Sequence, residues 1–149
     1  MYKHILVPTD GSTLSLKAAK HAAALAKSMK AKITALYVIA PFMRQSMGDG
    51  YIPRSTGAMI LRYKEATEKT AAAALRMVAK AAAGAGVRCD AVFVTNDQPW
   101  AAIIKAARGR KCDVIVMASH GRGGLASILL GSETQKVLTH SKKPVLVCR

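Results

Sequence analysis

Short apolar runs alternate with long alanine-rich amphipathic stretches along the whole chain. Five runs are rich in β-branched residues and bounded by turn residues, and they read as strands: His4–Pro8, Lys32–Ala40, Val87–Val94, Val114–Ala118 and Pro144–Cys148. Helical spacing fills the intervals. Ser12 is a good cap for a helix reaching about Lys30, with Ala19, Ala22, Ala23, Ala26 and Met29 on one face and Lys17, Lys20 and Lys27 tending to the other. A second helix over 58–83 is stopped by Gly84 and Gly86. A third starts near Pro99, which suits a first helical turn, and runs to about Arg108; a fourth covers 132–140. Residues 41–57 have no period and read as a long loop.

The resulting order, βαβαβαβαβ, predicts a single α/β domain over residues 1–149. Helical crossovers between strands imply a doubly wound, five-stranded parallel sheet with helices on both faces. With the strand order 3-2-1-4-5 usual for this class, the winding reverses between strands 1 and 4, and ligands bind there at the carboxyl ends of the strands. The turn Thr9-Asp10-Gly11 and the loop Ser119-His120-Gly121-Arg122-Gly123-Gly124 then meet across one crevice.

Composition narrows the class. Hydrophobic residues make up 51% of the 149, but aromatics only 5%, so the core is built from Ala, Val, Ile, Leu and Met. No apolar run approaches the roughly 20 residues that span a bilayer, and the start of the chain reads as a strand rather than a signal peptide. Cys89, Cys112 and Cys148 are odd in number and lack metal-type spacing, as expected of reduced thiols in a cytoplasmic protein. The formal charge of +15 is spread along the sequence with no basic tail. It would attract polyanions in general; linear spacing does not show whether the charge gathers on one face.

The candidate chemistry lies in residues 112–134. A strand, a glycine-rich loop and a helix start at Gly131-Ser132-Glu133-Thr134 form an anion cradle, because glycine admits a phosphate close to the backbone and helix-start amides point at it. Other readings fail. Gly121-Arg-Gly123-Gly124-Leu-Ala126 matches a dinucleotide fingerprint formally, but it follows the fourth strand and lacks the later acidic residue. No Gly-Lys-Ser/Thr of a Walker loop occurs. Ser119-His120 lacks the glycine of a nucleophile elbow at Met117, and adjacent residues at a strand end are expected to point apart. His120 is expected to shape its loop; His4, His21 and His140 to serve packing or surface roles; and Trp100 to cover a core edge.

The segment Ala118-Ser119-His120-Gly121, nine residues, then Gly131-Ser132 resembles the nucleotide-binding signature of universal stress proteins, Gly-x-x-Gly, nine residues, Gly-Ser/Thr. ILVPTDGS at 5–12, LYVI at 36–39 and KPVLVC at 143–148 extend the resemblance over essentially the whole chain. One position departs: Ala118 replaces the first glycine. The resemblance implies that Pro8, Thr9 and Asp10 line the nucleoside end and that Val38 offers main-chain hydrogen bonds to adenine. Met117 and Ala118 would lie by the ribose, with Gly121, Arg122, Gly131, Ser132 and Thr134 holding phosphates. It further implies ATP as ligand, with Mg²⁺ or Mn²⁺ on the phosphates, a regulatory binding or switch role in stress response, and a homodimer formed through the C-terminal strand. No residue stands out as a general base beside the phosphate loop, so any ATP hydrolysis or phosphoryl transfer is expected to be very slow. With few aromatics for stacking, nucleic-acid binding is expected to be non-specific at most.

Overall fold

The computed structural model describes residues 1–42, 56–121 and 130–149. Five strands, β1 (His4–Pro8), β2 (Lys32–Ile39), β3 (Cys89–Thr95), β4 (Val114–Ala118) and β5 (Val145–Cys148), form one sheet. Their order is β3-β2-β1-β4-β5 and all four pairings are parallel. Helices α1 (Thr13–Met29), α2 (Gly57–Gly84), α3 (Pro99–Gly109) and α4 (Ser132–His140) make the crossovers.

Side-chain alternation divides the core between the two faces. Ile5, Val7, Ile33, Ala35, Val114 and Val116 point to one side, where α1 and α2 pack on them through Ala18, Ala22, Ala26, Leu75 and Val78. Leu6, Leu36, Ile115 and Met117 point to the other and meet Ile103, Ala107 and Val137 of α3 and α4. Every residue of β1 and β4 is buried, because both faces of the central strands are covered. The edge strands β3 and β5 are only partly covered.

Local chemistry sets the helix ends. Ser12 Oγ accepts the Ser15 amide at 3.1 Å and opens α1. The small alanines of α1 seat it on the sheet; Met29, expected on the same face, is only half-buried at its end. Of the two glycines expected to stop the second helix, Gly84 is its last residue and Gly86 makes the reversal, with φ of +71°. The Val87 amide bonds back to Ala82 O at 2.9 Å, which is why β3 starts two residues later than its apolar pattern suggests. Most of the 41–57 loop lies outside the described residues.

The three cysteines are free, and burial raises each thiol above its ordinary value, Cys112 to about 11. Trp100 packs against the α3–α4 core cluster and stacks on His140 at 4.8 Å between centroids.

His4 is 7% exposed, and its Nε2 lies 2.8 Å from Thr34 Oγ1. Burial, and after it the charge of Lys32, lowers its pKa below 6.5. A proton therefore binds the unfolded chain more tightly than the folded one. The stability contributed by neutral His4 is complete above about 6.5 and is lost as pH falls through the lowered folded value. Thermal melts should show this loss as pH falls below about 6.5, and His4→Gln should flatten it; an unchanged pH profile in the variant would refute the assignment. His4→Ala should cost about 1–3 kcal/mol by leaving Thr34 with an unpaired buried hydroxyl.

Candidate functional site

The winding direction reverses between β1 and β4, and a cavity of about 480 Å³ opens there at the carboxyl ends of the strands. Among its lining residues are Pro8, Thr9, Asp10, Val38, Met117, Ala118, Gly121, Gly131, Ser132 and Thr134. Ten of the site residues named from the sequence thus face one space. The remaining one, Arg122, lies outside the described residues.

The β1 side is held by a chain of hydrogen bonds. The Gly11 amide donates to Thr9 Oγ1 at 3.1 Å, and Ser15 Oγ donates to Ser12 O at 2.8 Å. Ser15 has one hydroxyl proton, so in the 3.0 Å contact between Thr9 and Ser15 the threonine is the donor. Asp10 Oδ1 accepts the Ser12 amide at 2.9 Å. The other oxygen reaches the opposite loop: a Cβ on Gly121 would stand 2.6 Å from Asp10 Oδ2. The two polar loops therefore approach each other closely, and any side chain at 121 would require the Asp10 carboxylate to shift.

Sheet register explains Val38. The Lys32 amide and the Leu36 carbonyl bond toward β1, whereas the Ile33 amide and the Ile39 carbonyl bond toward β3. Even-numbered residues of β2 thus turn their main-chain groups to β1. Pairing with β1 ends at Pro8–Leu36. Val38, two residues further on, directs its N–H and C=O past the end of β1 into the crevice.

The β4 side is pinned at its neck. The Gly131 amide donates to Ser119 O at 2.7 Å, and Thr134 Oγ1 donates to Ala118 O at 3.0 Å. A Cβ on Gly131 would meet His120 Cα at 3.0 Å and Ser119 O at 3.3 Å. Gly131 is the N-cap of α4, and no side chain closes the cap. The amides of Ser132, Glu133 and Thr134 are those a helix leaves without an intrahelical acceptor, and all three residues line the cavity. A carboxylate, phosphate or other anion would be favoured there by the helix dipole.

Ser119 and His120 do not point apart as expected: Ser119 Oγ lies 3.2 Å from His120 Nδ1. Ser119 is 2% exposed, so its hydroxyl orients the loop rather than meeting a ligand. Sequence reasoning passed over Ser15, Leu36, Tyr37, Ile103, His120 and Glu133 as lining residues. Ser15 and Tyr37 were within reach as neighbours of named positions; Ile103 comes from α3, which no local pattern ties to the crevice. Glu133 is a carboxylate at the loop, but both its oxygens are engaged, Oε2 by the Trp100 amide at 2.9 Å and Oε1 by Lys136 Nζ at 3.1 Å.

Fold and cavity together define a doubly wound α/β domain with a cavity open at its topological switch point. The chain belongs to the universal stress protein family, whose model matches residues 1–149. Universal stress protein MJ0531 of Methanocaldococcus jannaschii is 36% identical over 151 residues, covering all of this chain and 83% of that protein. The solved structure of MJ0577, from the same organism, superposes with a TM-score of 0.81 at 31% identity and covers 99% of this chain and 96% of that one. A universal stress protein solved in complex with cAMP gives a TM-score of 0.70 at 28% identity, with 99% and 97% covered.

Glu133 generates a prediction. Gln98, the N-cap of α3, makes no side-chain cap bond, and Glu133 supplies the acceptor from α4 instead. Glu133→Ala should cost about 1 kcal/mol, the usual worth of a cap, while Glu133→Gln, which keeps an acceptor, should lose less. Urea titration checks both, and equal stability of parent and alanine variant would contradict the cross-helix cap.

Proposed function

We propose that this protein binds an adenine nucleotide, with ATP preferred, in the switch-point cavity. The observation that carries the reading is the glycine-capped start of α4, whose first three residues face the cavity at the family's phosphate signature. A relative of the same fold holds cAMP. The cavity volume of about 480 Å³ falls within the usual range of small-molecule sites.

The residues fit the parts of the ligand. Val38 offers an amide and a carbonyl to the adenine edge, and Pro8, Thr9 and Asp10 border the nucleoside end. Met117 and Ala118 lie beside the ribose. Gly121, Gly131, Ser132 and Thr134 form the phosphate cradle, and the resemblance adds Arg122. Mg²⁺ or Mn²⁺ would be held chiefly by phosphate oxygens and water, the usual mode for Mg²⁺; it would neutralise phosphate charge. Binding acts as a switch in stress response to the extent that ATP favours one conformer of the protein over another. The buried protonated thiols suit a reducing compartment, and we place the protein in the cytoplasm. No described helix is long and apolar enough to cross a membrane.

The preference for ATP over adenosine should rest on the cradle. Gly131→Val pushes a branched side chain into His120 and Ser119 and should bring ATP affinity down to that of adenosine, at least about 10-fold, roughly 1.4 kcal/mol. Calorimetry with both ligands decides; equal ATP affinity in a folded variant and the parent would remove the phosphates from this loop.

We also propose a homodimer through β5. This strand ends the sheet, and Leu146 is 44% exposed on it, an apolar edge that proteins usually cover. Sedimentation at micromolar concentration should find a dimer, and Leu146→Lys should shift it to monomer. A monomeric parent would refute the interface.

A further inference from the structure

A parallel sheet with helical crossovers places every helix-to-strand turn at the end opposite the cavity. In this chain those turns are basic. Lys3 precedes β1, Lys30 and Lys32 flank the entry to β2, and Arg88 precedes β3. Arg110 and Lys111 lead into β4, and Lys142 and Lys143 into β5. All but Lys32 are exposed. Of the carboxylates among the described residues, only Asp90 and Asp113 lie here, each at or next to a strand start. Asp90 pairs with Arg88 at 3.7 Å, and Asp113 accepts the amides of Lys3 and His4 at 2.7 and 2.9 Å. Burial and Asp113 raise the Cys112 thiol, while the charges of Arg110, Lys32 and Lys143, from three separate turns, act on it in the opposite sense.

Backbone conformation supplies an independent observation. Among the described residues, the non-glycine residues at positive φ are Lys30 at 53° and Lys111 at 55°. Both follow a helix, where the left-handed position ordinarily goes to glycine or asparagine. A lysine there strains the backbone, so the two turns keep a cation where conformation alone favours glycine.

We propose that this face is a second binding surface, independent of the nucleotide cavity, that takes the phosphodiester backbone of a nucleic acid without regard to sequence. The shape of the charge favours a linear polyanion. Each strand contributes at least one cation, and the row crosses the sheet from β3 to β5, about 19 Å at the usual spacing of about 4.8 Å between strands. Duplex DNA carries a charge about every 1.7 Å of axis, so such a row spans several phosphates. Among the described residues, the exposed large apolar side chains Met59, Ile60, Leu61, Phe93, Leu138 and Leu146 lie on helices and strands; Met1 alone stands on this face, two residues before Lys3, so the face lacks the apolar cluster that membrane insertion uses.

The test is fluorescence anisotropy with a labelled 20-base-pair duplex across a salt series, using the full chain. Neutralising Arg110, Lys111 and Lys143 to Gln should weaken binding at least 10-fold and lower the slope of log K against log salt by about 2–3, at about 0.9 per phosphate contact. Neutralising Lys17, Lys20 and Lys69 on α1 and α2 removes the same charge and should change affinity less than about 2-fold if net charge is not the cause. Lys30→Gly with Lys111→Gly should weaken binding while the thermal midpoint holds or rises, which separates a binding role from a structural one. Gly131→Val should leave duplex binding intact, so failure of the nucleotide site does not touch this proposal. Equal losses in the two triple variants, or binding to anionic phosphatidylserine vesicles that exceeds binding to the duplex, would overturn it.

Discussion

Parallel winding is the constraint on which the rest of this molecule depends. Because all five strands run the same way, their carboxyl ends share one end of the sheet and their helix-to-strand turns share the other. The reversal between β1 and β4 parts the crossovers to opposite faces and leaves a crevice that no helix among the described residues fills. The Thr9–Ser15 hydroxyl chain holds the β1 side of that crevice and the Gly131–Ser119 bond the β4 side, and the Asp10–Gly121 approach brings the two sides together. Both proposed binding surfaces, the cavity and the basic row, are consequences of this one direction rule.

Much of the fold was legible because the central strands are buried on both faces and so read as continuous apolar runs. The ends of elements were less legible. Of the two glycines read as the stop of the second helix, Gly84 is still helical and Gly86 makes the turn, with a φ of +71°. Within the site, the loop spacing pointed to Gly121, Gly131, Ser132 and Thr134, whereas Ile103 and Glu133 gain their places only through tertiary packing. Glu133 caps a helix 33 residues away, a relation no local pattern carries. The gathering of charge was invisible for the same reason: cations scattered through the sequence come together only when the turns do.

The cavity's donors at Val38 and at the start of α4 are main-chain groups fixed by sheet register and a helix start, and they would cost no reorganisation on meeting an anion. The carboxylate nearest the helix start, Glu133, is committed to Trp100 and Lys136.

The most direct test of the central claim is an amide chemical-shift titration of the isotope-labelled protein with ATP. The account predicts that the largest saturable shifts fall on Val38, Gly131, Ser132, Glu133 and Thr134, with the first turn of α4 moving downfield as its amides meet phosphate. Adenosine should move Val38 but leave that helix start in place. Shifts confined to other surfaces, or the same response to ATP and adenosine at the start of α4, would contradict it.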